Sequence, residues 1–133
     1  MVRIKIGRRI GVGIAGLSLV AALIAPSALG HTGAKPKLIG NAKAGKTSFT
    51  QTCSACHTLK AAGAVGNIGP NLDKAGPSLT EATIIKAITN GGATVMTKAA
   101  AAKYTTMMVA YKGSLSPTVI NNIAAFVYTS THK

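Results

Sequence analysis

Cys53-Ser54-Ala55-Cys56-His57 is the stretch on which the reading of this chain turns. Two thiols separated by two residues sit on one helical turn with an imidazole directly after them, a C-x-x-C-H sequence read as covalent haem attachment. At this spacing each thiol can add to one vinyl group of a single porphyrin, while His57 projects beneath the ring to reach the iron. One short segment would then both tether a haem c and ligate it. Other chemistries use the same residue types. A redox-active dithiol wants a βαβ pattern around it, and no stretch of this chain alternates convincingly as strand. A disulfide between thiols this close restrains the unfolded chain little, because the loop it closes is tiny. A structural zinc needs four ligands, and the remaining histidines, His31 and His132, lie near chain ends. Haem is the reading that these residues favour.

Upstream of the motif, Asn41 is a cap-like residue opening a run of good helix formers, and Gly45, Phe49 and Cys53 recur at four-residue spacing along one face. A first helix is therefore expected to end near the cysteines. Downstream, residues 58–77 contain Gly63, Gly66, Gly69 and Gly76 with Pro70 and Pro77, and read as a loop long enough to wrap a ligand. Ser78 with Glu81 is read as a capping box, followed by an apolar stripe of Ile84, Ile85 and Ile88 that Asn90 and Gly91 close. The alanine-rich segment Lys98 to Lys103 favours a short helix or turn. Ser116 and Pro117 open a last helix with Ile120, Ile123, Ala124 and Val127 on one face. The expected fold class is all-α.

The ends of the chain differ in character. Arg3, Lys5, Arg8 and Arg9 precede an apolar run from Ile10 to about Ala25, and Ala28, Leu29 and Gly30 supply the small residues that suit a signal peptidase. Residues 1–30 read as a secretory signal cleaved before His31. The alternative is an uncleaved anchor, for which the run falls just short of the roughly 20 apolar residues that span a bilayer. Residues 31–41, polar and punctuated by Gly and Pro, read as a flexible leader, and 42–133 as the folded domain. The expected location is the periplasm or the outer face of the cytoplasmic membrane.

Without the signal the chain keeps eleven basic residues, all lysine, against Asp73 and Glu81, a formal charge of +9. Lysines without arginine forks, and with few aromatics to stack on bases, argue against sequence-specific nucleic-acid reading. Such a surface suits transient docking of a monomer on acidic redox partner proteins or on an anionic membrane face; the plainer role of the charge is solubility. With no Trp, 2 Phe and 3 Tyr, the chain has few large side chains for a core, so something else must help to fill its middle.

In order and spacing these segments resemble the class I cytochromes c of the small bacterial kind, over nearly the whole of the chain after residue 30. Gly45, Phe49, Cys53, Cys56 and His57 match the family's first helix; Gly69, Pro70, Asn71 and Leu72 match its G-P-x-L signature. Met108, Tyr111, Gly113, Leu115 and Ser116 match its methionine loop, and Ile120, Ile123, Phe126 and Val127 its closing helix. The resemblance implies three to five helices wrapped around one covalently bound haem. It implies that the first and last helices cross at Gly45, with Phe49 and Phe126 at the contact, and that the Pro70 carbonyl accepts a hydrogen bond from the second ring nitrogen of His57. It also implies His57 and Met108 as axial ligands of the iron. Met108 stands three residues before Tyr111 and seven before Leu115, as the family's ligand does, whereas Met107 is off by one and Met96 lacks that downstream pattern. Met96 follows Asn90, Gly91 and Gly92, a turn that in compact members leads directly to the ligand, so Met96 and Met107 are the fallback ligands. This chain departs from the family by inserting a stretch between Gly92 and Met107.

A thioether facing an imidazole in an apolar shell favours ferrous iron, and filled axial positions leave no open site. The expected function is single-electron transfer without a catalytic residue, with Lys60 and Lys112 steering the partner. The alternatives are a haem subunit of a larger oxidoreductase, or an open-site haem enzyme or gas-binding module.

Overall fold

The described residues of the computed structural model, 37–133, form five α-helices: α1 (Ala42–Thr52), α2 (Leu72–Ala75), α3 (Glu81–Asn90), α4 (Lys98–Ala101) and α5 (Pro117–Thr131). One two-stranded antiparallel hairpin, β1 (Thr58–Leu59) and β2 (Ala64–Val65), completes them. The secretory signal read over 1–30 and the leader residues 31–36 lie outside the described residues.

Local chemistry starts the two long helices where the sequence places them. The Asn41 side chain accepts the Ala44 N–H at 3.1 Å, and Ser116 Oγ accepts the Val119 N–H at 3.3 Å. Pro117 occupies the first turn of α5, where its missing N–H costs nothing. α1 buries Gly45 and Phe49, and α5 buries the expected Ile120, Ile123, Ala124 and Val127 together with Ala125 and Phe126. These two helices make the most extensive contact in the domain. A Cβ at Gly45 would overlap the Asn122 carbonyl, so only glycine permits the crossing. Beside it the rings of Phe49 and Phe126 meet edge to face, with centroids 5.7 Å apart and planes at 62°. Such a pair adds about 0.5–1.5 kcal/mol to its area burial. α3 lays Ile84 and Ile88 on the same core.

Three expectations need correction. Helix α3 is capped by Thr80, whose hydroxyl accepts the Thr83 N–H at 3.1 Å, and not by a Ser78–Glu81 box. Ser78 ends a 3₁₀ turn (Gly76–Ser78) and donates to the Ala75 carbonyl at 2.8 Å, which leaves Glu81 free for a distant partner. The stretch 58–77 is not wholly loop, because β1 and β2 pair there around a 3₁₀ turn (Lys60–Ala62) that Gly63 closes at φ 67°. Strands two residues long carry no legible alternation. The flexible leader read over 31–41 is docked at its end. The Ile39 N–H donates to both Glu81 carboxylate oxygens (3.1 and 3.2 Å), and the Asn41 N–H donates to Asn122 Oδ1 at 2.7 Å. No helix among the described residues is long and apolar enough to cross a membrane.

Candidate functional site

The motif continues the chain out of α1 as one tight turn. Cys53 caps that helix, its N–H donating to the Phe49 carbonyl at 2.8 Å, and the N–H groups of Cys56 and His57 both return to the Cys53 carbonyl at 3.1 and 3.0 Å. This turn brings Cys53, Cys56 and His57 to the wall of one cleft of about 250 Å³. His57 is the buried polar side chain of the core, 9% exposed. Its Nδ1 lies 2.8 Å from the Pro70 carbonyl oxygen. A carbonyl only accepts, so Nδ1 carries the proton, and Nε2 is left as the ring nitrogen that could offer a lone pair to a metal. Gly69 holds the other side of the ring: its N–H donates to the Cys56 carbonyl at 2.8 Å, and a Cβ on it would lie 2.7 Å from His57 Cε1. A bare backbone at 69 is what lets the segment lie flat against the imidazole.

Across the cleft the chain is strapped to the end of α3. Gly92 N–H donates to the Met108 carbonyl at 3.0 Å, Tyr111 N–H to Ile88 at 3.0 Å and Lys112 N–H to Thr89 at 3.1 Å. Met108 is half-buried against the core, and Gly92 leaves room for its Cβ. Met96 and Met107 line the same cleft, so all three candidate methionines are brought together. Among the described residues, Met108 alone of the three has its backbone carbonyl tied to the 3₁₀ turn that follows α3. The inserted stretch follows a path that sequence did not show. It makes a 3₁₀ turn (Gly92–Thr94), passes through α4, whose cap Thr97 accepts the Ala100 N–H at 3.2 Å, and returns across the cleft. Tyr104 and Thr106, which no motif marked, contribute to the lining from this insert.

The lining is mainly apolar and includes no Lys, Arg, Asp or Glu. Burial, and secondarily the neighbouring Cys56 thiolate, push the Cys53 thiol up to about 11. Burial also raises Tyr111, followed by the charges of Cys53 and Cys56, with which it lines the same cleft. Cys53 and Cys56 are not joined in a disulfide, and no group of three or more His, Cys, Asp or Glu side chains that could hold a metal ion occurs among the described residues. His132 stacks on Tyr128 at 4.0 Å at the end of α5, so it does not complete a zinc site. Two thiols, an imidazole lone pair and a thioether on one apolar cleft fit a tethered haem, and the dithiol and zinc readings lose their partners.

Residues 42–131 match the family described as Cytochrome c. No curated protein matches the chain. Among solved structures, the c-type cytochrome SorU from Sinorhizobium meliloti is similar at 27% identity and a TM-score of 0.51, over 69% of this chain and 92% of that one.

Proposed function

The chain belongs to the cytochrome c family, and we propose that it is an exported monomer that carries single electrons between proteins outside the cytoplasm, with His57 and Met108 as the axial ligands. The family's activity is haem-based electron transfer, and haem c is held covalently here through Cys53 and Cys56. When bound, that group supplies a reversible one-electron couple. The protein's part is to hold and tune. The Pro70 carbonyl keeps Nδ1 of His57 protonated, which fixes the ring's orientation and raises the basicity of Nε2. The Met108 thioether would favour the ferrous state, and the apolar lining would disfavour the extra charge of the ferric state, so both would raise the potential. With His57 and Met108 both offered to the iron, no position would remain for oxygen or a substrate, which supports a carrier rather than an enzyme.

The convergence of His57 and Met108 on one apolar cleft with both thiols carries this reading. Export rests on the signal read over 1–30, which supports a location in the periplasm or on the outer face of the cytoplasmic membrane, in a respiratory chain. Transient docking on acidic partners is supported by the lysine excess and by the two carboxylates, each of which accepts a backbone N–H rather than neutralising a lysine. Lys60 and Lys112 are exposed and close in sequence to His57 and Met108, which suits steering at the site's rim.

The test is absorption spectroscopy in both redox states, with carbon monoxide added to the reduced protein, on the wild type, Met108→Ala, Met107→Ala and Met96→Ala. The wild type, Met107→Ala and Met96→Ala should resist the gas, and Met108→Ala should bind it stoichiometrically. Rapid binding by the wild type would instead favour an open-site enzyme or gas-binding module, and rapid binding by either of the other two variants would reassign the ligand. Transfer rates to an acidic partner should fall as ionic strength rises.

A further inference from the structure

We propose that Asp73 is a positioning residue for His57, acting through the Pro70 carbonyl; this rests on the reading of His57 as an axial ligand. The segment leaving the motif and the segment entering α2 are joined by three hydrogen-bonded rungs of the same offset. Gly69 N–H donates to the Cys56 carbonyl at 2.8 Å, and His57 Nδ1–H donates to the Pro70 carbonyl at 2.8 Å. Lys60 N–H donates to both Asp73 carboxylate oxygens, at 3.2 and 3.0 Å. The second and third rungs each join residues 13 apart, and the first has the same spacing. The ring nitrogen is therefore the middle rung of a short ladder, with Asp73 at its far end.

The far rung matters because of what lies between. After Pro70 the chain turns at once into α2, whose cap Asn71 accepts the Lys74 N–H at 3.3 Å, and Asp73 stands in the first turn of that helix. A four-residue helix has too few internal hydrogen bonds to hold its own place. Among the described residues, the Asp73 carboxylate supplies the one side-chain acceptor that joins α2 to the segment following His57, at the start of the Lys60–Ala62 turn. Leu59, just before the Lys60 donor, is fully buried, so the carboxylate grips a backbone point that cannot drift. With one end of the ladder fastened at Cys56 and the other at Lys60, the Pro70 carbonyl between them has little freedom to swing away from Nδ1. Asp73 is one of only two acidic residues in the chain, and a carboxylate is the stronger acceptor for this purpose.

The rung can be cut from either side. Asp73→Ala removes the acceptor and a charge, Asp73→Asn removes the charge but keeps an acceptor oxygen, and Lys60→Pro removes the donor while leaving the carboxylate. Leu59 is extended at φ −153° and ψ 107°, a conformation that tolerates a following proline. The readout is exchange of the His57 Nδ1 proton with solvent, measured by NMR on the reduced, haem-bearing protein. Asp73→Ala and Lys60→Pro should each speed exchange about tenfold, the loss of one hydrogen bond to a charged group, and the double variant no further. Asp73→Asn should stay much closer to the wild type. If Asp73→Ala fails to fold, Lys60→Pro decides the matter alone. Exchange unchanged within about twofold in folded variants overturns the role of Asp73, as does equal acceleration by Asn and Ala, which would trace the effect to charge. Wild-type His57 ring resonances without a porphyrin ring-current displacement overturn the ligand reading itself, and the proposal with it.

Discussion

Gly69→Ala would place a methyl group 2.7 Å from His57 Cε1, 3.1 Å from Nδ1 and 3.2 Å from Nε2. Carbon atoms pack best at about 3.5–4.0 Å, so the closest approach is short by about 1 Å. Neither side yields cheaply. The Gly69 N–H is bonded to Cys56 at 2.8 Å, the next carbonyl holds Nδ1 at 2.8 Å, and the ring is 9% exposed. Overpacking of this kind costs about 1–3 kcal/mol, and the lost ring hydrogen bond adds about 1 kcal/mol. Gly69 is not among the positive-φ glycines, so alanine also recovers about 0.4–1 kcal/mol through the unfolded chain. The steric effect wins, with a net loss of about 1–3 kcal/mol, or about 5–20 °C in Tm for a domain of this size. Guanidinium unfolding of the haem-bearing protein, followed by far-UV circular dichroism, measures it. Covalent attachment keeps the cofactor on the chain in both states, so no dissociation equilibrium distorts the comparison. A variant within about 0.5 kcal/mol of the wild type, with an unaltered spectrum, would show that the imidazole is not wedged between Gly69 and the Pro70 carbonyl.

Gly45→Ala should be worse, costing about 3 kcal/mol or more in the same unfolding assay, because its methyl meets the Asn122 backbone where α1 and α5 cross; a loss below about 1 kcal/mol would contradict that close approach. Glu81→Ala should release the Ile39 N–H, raising amide exchange and protease cutting at residues 37–41 while costing no more than about 1 kcal/mol, since the bond is solvent-exposed. In folded chain that lacks haem, alkylation of Cys53 should accelerate about tenfold per pH unit up to about 11, and a plateau near 9 would contradict the burial of this thiol. The sign for stability follows from the same shift: the folded state disfavours the thiolate, so its advantage is intact below pH 9.0 and is lost as pH rises towards 11.

Much of the site was legible because its chemistry is local. Cys53, Cys56 and His57 act within one turn, and the Asn41 and Ser116 caps work through N–H groups three residues away. Capping failed as a guide at Ser78, which Pro77 draws into a 3₁₀ turn, so that Thr80, unmarked in the sequence reading, caps α3. The roles of Asp73 and Glu81 were hidden for a different reason. Each accepts from a backbone N–H, 13 or 42 residues away, and a backbone donor leaves no mark on the identity of its residue.

Local sequence placed the haem tether at Cys53 and Cys56, the three longer helices α1, α3 and α5, and the faces they turn inward, because these depend on neighbours within a turn or two; it did not show α2, inside the stretch read as loop. Only the packed fold decided that the insert between Gly92 and Met107 would cross the cleft, and that Met108 would be the methionine strapped to the turn after α3. It also decided that the two carboxylates would serve as latches. Three methionines of equal chemistry differ only in where a distant backbone holds them, and that depends on how α3 packs in the finished core.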